Sequence, residues 1–194
     1  MALVLTIDSA RWADHVARTS SQVSGLIPVV KGNGYGLGRD WLAHKAAELS
    51  SLLAVGTVHE VASVPAGRTA VVLTPSLGPC PGAVVTIGSA AHLEALGSTG
   101  HRVLVKIRSS MGRYGADPAQ ARQLLATVRG AGHEVLGVSI HPPLVSSSAD
   151  HAAEIAMLLD SIEPVGVWVS HLDTSDYDEL RRRFTDRQWW LRLG

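Results

Sequence analysis

The sequence predicts an α/β fold, a (β/α)8 barrel of the TIM type preceded by a short strand–helix extension. Three observations carry this. Eight short apolar, β-branched runs recur along the chain, most of them separated by segments with helical spacing. Residues suited to capping helix starts and glycines suited to helix ends punctuate those segments. Alternation of this kind implies parallel βαβ units. Eight strands favour a closed barrel, with an open sheet of six or seven strands as the alternative. At 194 residues the barrel is small, since such folds usually take about 250.

The elements follow in order. A strand over 3–8 and a helix over 9–23 form the extension, assigned to residues 1–24, and the barrel domain occupies 25–194. Strands are expected at 27–31, 52–55, 70–73, 84–86, 102–107, 134–140, 165–170 and 188–192. Helices are expected at 40–49, 57–64, 89–96, 117–131, 149–161 and 175–184, with Asp40, Thr57, Ser89, Asp117 and Ser175 as N-caps. Gly97, Gly130 and Gly132 stand where helices should stop. The Pro/Gly-rich stretch 74–82 reads as a loop joining two strands without an obvious helix.

Composition narrows the function classes. Hydrophobic residues make up 46% of the chain and charged ones 18%, which suits a fold with much of its length buried. Seventeen basic and seventeen acidic residues cancel, leaving no electrostatic footprint for nucleic acid or an anionic membrane surface. Cys80 is the only cysteine, so neither an internal disulfide nor a cysteine-based metal site can form. That count fits a reducing cytoplasm, the expected location. No apolar run approaches the roughly 20 residues of a membrane span, and the N-terminus lacks a basic-then-apolar signal pattern.

One lysine stands out. Lys31 is the first charge after the apolar run Ile27-Pro28-Val29-Val30 and precedes the tract Gly32-Asn33-Gly34-Tyr35-Gly36-Leu37-Gly38. A lone amine at the end of a buried strand is expected to be poorly solvated. Desolvation lowers a lysine pKa, and a neutral amine can form a Schiff base. The glycines let the backbone turn and approach a ligand closely. The tract matches neither a dinucleotide fingerprint nor a P-loop.

Other strands also end in notable groups. Lys106 and the loop Ser109-Ser110-Met111-Gly112-Arg113-Tyr114-Gly115 follow the fifth, His141 the sixth, Ser170-His171 the seventh and Arg192 the eighth. In a barrel these ends form one rim, and such basic and polar groups suit an anionic ligand carrying a phosphate and a phenolate. Each residue also has a plainer reading: His141 as a satisfied strand-end histidine, Arg113 as a solvated loop arginine, and His171 as a structural group. Lys106 lies inside a strand, where a buried lysine needs a partner. Asp150, His151 and Glu154 share a helical face and read as solvated, so no metal site is expected. Arg181-Arg182-Arg183 reads as an exposed helix end. Trp189 and Trp190 read as packing groups, one of them pointing out of the barrel.

Four ordered segments resemble the alanine racemase family. Lys31-Gly32-Asn33-Gly34-Tyr35-Gly36 is similar to that family's pyridoxal-phosphate lysine signature. Lys106-Ile107-Arg108-Ser109-Ser110-Met111-Gly112-Arg113-Tyr114-Gly115 resembles its second motif, Ile140-His141 its third, and Leu191-Arg192-Leu193-Gly194 its arginine–glycine element. The resemblance implies a fold-type-III pyridoxal 5'-phosphate enzyme. In that reading Lys31 would form the internal aldimine and act as base. Tyr35, Ser170 and Gly194 would bind the phosphate, and His141 would stack on the pyridine ring. Arg113 would lie near the phenolic oxygen and the substrate carboxylate, and Arg192 would face the pyridine nitrogen. Lys106 matches a lysine that is carbamylated in some members and orients that arginine.

Arg108 stands where the family has an acid, and Ser170-His171 only approximates an asparagine–serine pair. The family's C-terminal β-domain, whose tyrosine supplies a second base to the partner subunit, is not represented in these residues, which leaves a homodimer open. The expected function is pyridoxal-phosphate-dependent racemisation of a small amino acid, alanine foremost. The alternatives are a non-racemising cofactor carrier or regulator on the same barrel, and a barrel that binds another phosphorylated ligand without covalent chemistry.

Overall fold

A computed structural model describes residues 6–97 and 100–194. The expected strand at 3–8 falls largely outside the described residues, and its described end, Thr6 to Asp8, carries no strand. Helix α1 (Ser9–Ser21) follows, capped by the Asp8 carboxylate, which accepts from the N–H groups of Ala10 and Arg11. The barrel comprises β1 (Leu26–Pro28), α2 (Arg39–Ala47), β2 (Leu52–Val55), a 3-10 helix (Val58–Ser63), β3 (Thr69–Val72), β4 (Val84–Ile87) and α3 (Ala90–Leu96). It continues through β5 (Arg102–Lys106), α4 (Pro118–Gly130), β6 (Glu134–Ser139), α5 (Ser148–Leu159), β7 (Gly166–Val169), α6 (Thr174–Arg183) and β8 (Trp189–Leu193).

The strands run in parallel in the order β1-β8-β7-β6-β5-β4-β3-β2. An isolated parallel bridge between Val29 and Ala54 brings the last edge together, with the Val30 N–H donating to Ala54 O at 2.8 Å. Among the described residues the circuit is therefore a nearly closed barrel rather than an open sheet.

Alternation along each strand sorts side chains into two cores. Ile27, Val29, Ala54, Val71, Val84, Leu104 and Trp168 fill the interior, with Leu52, Leu73, Leu136 and Trp190 packed against them. The other face of each strand packs on the helices in a larger cluster that includes Val30, Leu53, Val85, Val103, Ile140, Leu125 and Leu159. Of the tryptophan pair, Trp190 faces inward and stacks on Trp168 with centroids 4.6 Å apart. Trp189 points outward but is covered by α6, against Tyr177 and Phe184, so it offers no free surface.

Strand β6 departs from simple alternation. Its register against β5 shifts between Val103 and Leu104, so that Val135 faces Val103 while Gly137 faces Leu104. Leu136 is the extra residue of a bulge, and Gly137 adopts φ 150°. A Cβ there would lie 2.0 Å from Gly166 O, so only glycine fits. The bulge lets both Leu136 and Ser139 face the interior, and two residues later it turns His141 inward.

Several helix starts differ from expectation because local hydrogen bonding chose other caps. Asp40 lies in the first turn of α2, with Gly38 in the cap position. Thr57 makes no cap bond, and 57–64 yields a 3-10 helix rather than an α-helix. Asp173, not Ser175, caps α6, and Ser147 with Asp150 forms a capping box on α5. Ser89 and Asp117 cap α3 and α4 as expected. Among the described residues no helix is long and apolar enough to cross a membrane.

Candidate functional site

The interior positions continue upward, two residues at a time, past the apolar layer. Val29 leads to Lys31, Ala54 to Gly56, Leu104 to Lys106, Trp168 to Ser170 and Trp190 to Arg192; the bulge adds His141 from β6. These residues line a cavity of about 540 Å³ at the C-terminal ends of the strands, together with Arg113, Tyr114, His171, Tyr35 and Gly194. All the site residues singled out in the sequence are thus brought to one cavity. No aspartate or glutamate is among its lining residues.

Arg192 anchors the floor. It is 6% exposed, and its guanidinium donates to Ser139 Oγ at 2.9 Å, Ile140 O at 2.7 Å and Val169 O at 3.3 Å. These acceptors are neutral, and burial pushes the guanidinium down to about 10.

Lys106 is 8% exposed. Burial, followed by the charges of Arg192 and Arg113, lowers its amine to about 7. Its Nζ lies 5.9 Å from the centroid of the Tyr114 ring, and the Tyr114 hydroxyl donates to Leu73 O at 2.7 Å. The desolvated amine expected at Lys31 is therefore found at Lys106. Lys31 itself is exposed, directly after the last backbone bond of this segment to a neighbouring strand, from the Val30 N–H to Ala54 O.

His141 is half-buried and is bonded through Nδ1 to Ser170 Oγ at 2.5 Å. Burial, with Arg192, Lys106, His171 and Lys31 adding positive charge around it, depresses the imidazole to about 3, so it is neutral at ordinary pH. His171 packs on it with ring centroids 4.5 Å apart. His171 holds a left-handed backbone, φ 61°, with Nδ1 donating to Pro142 O at 2.9 Å. A non-glycine residue in that region at a cavity wall is an observed strain.

Tyr35 closes the mouth near Gly194. It is 51% exposed with φ 56°, and a Cβ at Gly194 would lie 2.3 Å from its hydroxyl. Arg113 sits on the exposed loop after β5. That loop is fastened by Glu154 of α5, whose carboxylate accepts from the Ser110 N–H and hydroxyl, and by Ser109, whose hydroxyl donates to His141 O at 2.6 Å.

Two readings change here. His151 is 4% exposed, with its Nδ1 2.8 Å from His171 O, and Glu154 holds the Arg113 loop, so their helix face is not simply solvated. Among the described residues no group of His, Cys, Asp and Glu could hold a metal. Sequence reasoning also passes over Glu60, whose carboxylate accepts from the N–H of Gly32, the residue after Lys31. No local pattern marks it, because its partners are backbone N–H groups of two separate loops.

The comparisons with known proteins agree with this fold. The model of the family "Alanine racemase, N-terminal domain" matches residues 7–189. The alanine racemase of E. faecalis is 23% identical, with a TM-score of 0.69 over 84% of this chain and 52% of that one. The alanine racemase of Bacillus anthracis with bound L-Ala-P is 20% identical, with a TM-score of 0.68 over 93% of this chain and 53% of that one. A lysine decarboxylase from Selenomonas ruminantium is 15% identical, with a TM-score of 0.68 over 95% and 58%. The chain spans about half the length of these structures, and at such identities they show the fold alone. No curated protein matches. The extent of the family match, over nearly the whole barrel, shows that the chain belongs to the alanine racemase N-terminal-domain family.

Proposed function

We propose that the barrel binds pyridoxal 5'-phosphate at Lys31 and serves the racemisation of a small amino acid, alanine foremost. The observation that supports this most is the inward-facing upper layer. With Arg113 from the loop after β5, it brings two lysines and two arginines to one cavity without a carboxylate among its lining residues. A dianionic, planar ligand fits that donor set, and the close approach of Tyr35 to Gly194 leaves a cradle that a Cβ would fill.

In this reading Lys31, exposed at the rim, holds the cofactor covalently and takes the proton from the substrate's α-carbon. Tyr35, Ser170 and Gly194 bind the phosphate, with Ser170 also orienting His141. The neutral imidazole of His141 would lie against the cofactor ring without adding charge. Arg192, with three neutral acceptors, would direct its charge at the pyridine nitrogen. Arg113 would receive the substrate carboxylate, with the Lys106 amine near both arginines. The cofactor, when bound, supplies the electron sink that makes the α-proton acidic.

The test is direct. The protein mixed with pyridoxal 5'-phosphate and reduced with borohydride should carry a covalent mass increment on the Lys31 peptide, absent in Lys31→Ala. No increment, or one unchanged in Lys31→Ala, overturns the reading. An increment without interconversion of L- and D-alanine retains the cofactor and favours the carrier alternative over racemisation.

A further inference from the structure

We propose that Glu60 is a positioning residue for Lys31, acting through a clamp on the Gly32 peptide; the inference deepens the reading of Lys31 as the cofactor-holding amine. The Glu60 carboxylate accepts from the Gly56 N–H at 2.6 Å and from the Gly32 N–H at 3.3 Å. Gly56 directly follows β2 and Gly32 directly follows Lys31, so one carboxylate ties two adjacent rim loops together. The carbonyl of the same Gly32 is held from the other side. Arg39 donates to it from Nη1 at 3.1 Å, while its Nε donates to Ser63 Oγ at 2.8 Å.

One short element supplies the first arm of the clamp and braces Arg39 of α2, which is the second. Glu60 and Ser63 lie three residues apart in the 3-10 helix Val58–Ser63. In a 3-10 helix residues i and i+3 eclipse, so both side chains leave from the same side, toward the Lys31 loop. An α-helix over this segment, as the sequence spacing suggests, would offset them by about 60°. The departure from α-helical geometry therefore has a structural use.

Gly56 completes the arrangement. A Cβ there would lie 3.1 Å and 3.3 Å from the Glu60 carboxylate oxygens and 3.3 Å from Lys31 Cβ. The missing side chain lets Lys31, Glu60 and the end of β2 converge. The Lys31 loop needs such help, because it holds a run of left-handed residues, Gly32, Gly34, Tyr35, Gly36 and Gly38, which no strand or helix pairing fixes. The Lys31 amine projects from this loop, and its position over the cavity depends on the Gly32 peptide staying in place.

Charge-assisted bonds to backbone N–H groups are stronger than neutral ones, and glutamine offers one acceptor oxygen where the carboxylate has two. In amide spectra of the wild-type chain, the Gly56 and Gly32 N–H resonances should lie downfield. Both should move upfield in Glu60→Gln. Covalent capture of pyridoxal 5'-phosphate, trapped with borohydride, should slow on the order of tenfold or more in Glu60→Gln, as expected for a reacting group held out of place. Binding of pyridoxine 5'-phosphate, which lacks the aldehyde, should change less than about twofold. Glu48→Gln, on an exposed side chain of α2's end, should match wild type in every measurement.

Amide resonances indifferent to Glu60 overturn the clamp whatever the capture assay shows. Capture at the wild-type rate in Glu60→Gln, or equal losses of capture and of pyridoxine 5'-phosphate binding, overturn the positioning role. A wild-type chain that captures no cofactor counts against the proposed function, while the amide resonances still decide the clamp.

Discussion

Replacing Lys106 with methionine should remove a rise of this barrel's stability with pH. The Lys106 amine is buried beside Arg192 and Arg113, and its value falls from 10.5 to about 7. That difference corresponds to about 5 kcal/mol of preference for the neutral amine, on the order-of-magnitude conversion of 1.36 kcal/mol per pH unit. An unfolded lysine keeps its proton up to its ordinary value. Between about pH 7 and 10.5 the unfolded chain therefore binds more protons than the folded one, and stability rises with pH. Methionine has nearly the same length and no charge, so it removes this contribution.

The quantity to measure is the stability of wild type minus that of Lys106→Met, from urea denaturation followed by tryptophan fluorescence. Taking the difference cancels other groups that titrate in the same range. It should rise by about 2 kcal/mol between about pH 7 and about pH 9. Lys106→Met should be the more stable protein at the acidic end, where wild type must bury a charge among like charges. Phosphate affinity of the wild type should run the opposite way and fall over the same interval, as the cation is lost. Two stability curves that stay parallel from about pH 6 to 9 would show that Lys106 remains an ordinary solvated amine, and would refute the reasoning.

Three further outcomes are expected. Gly137→Ala places a Cβ 2.0 Å from Gly166 O at a φ of 150°, so it should cost more than about 3 kcal/mol; thermal denaturation and the pyridoxal 5'-phosphate trapping yield would both fall, because His141 loses its inward turn. Trp168→Phe removes a buried indole N–H that has no hydrogen-bond partner. Relief of about 1–3 kcal/mol offsets the lost volume, so urea midpoints should stay within about 1 kcal/mol of wild type, whereas Trp168→Ala should cost about 3–5 kcal/mol. Tyr177→Phe removes the bond from its hydroxyl to Ser24 O at 2.9 Å and should cost about 1 kcal/mol, read as a lowered melting temperature.

The barrel was legible in the sequence because its signals are local and repeated. Strands such as Val84–Ile87 and Arg102–Lys106 are apolar runs that need no context, and the alternation with helices dictates parallel pairing. Lys31, Lys106, Ser170 and Arg192 were legible for a related reason: each is the first polar group after an apolar run. What stayed hidden depends on pairing between distant segments. The bulge at Leu136 exists only against β5. The burial of Lys106 and the exposure of Lys31 are not told apart by their sequence neighbours, since both follow apolar runs. Glu60 gives no pattern because its partners, Gly32 and Gly56, lie in different loops. Caps failed where two candidates stood close together, as with Asp173 and Ser175, and the one able to accept the third N–H prevailed.

The electrostatic design of the site follows from the same two layers. Below, the interior is closed by Trp168 on Trp190 and by Ile27, Val71 and Leu104, which exclude water and lower the local dielectric. Above, the next inward positions carry Lys106 and Arg192 with no carboxylate lining the cavity. Neutral acceptors satisfy the Arg192 guanidinium without cancelling its charge, and Lys106 responds by sitting near its half-protonated point. A site meant only to be stable would pair such cations internally, because an unpaired buried charge is costly. Here the acids that do approach the rim, Glu60 and Glu154, are spent on backbone N–H groups of the loops that carry Lys31 and Arg113. The positive potential is thus left directed into the cavity while the carboxylates hold its walls in place, an arrangement that favours an anionic ligand over the empty barrel.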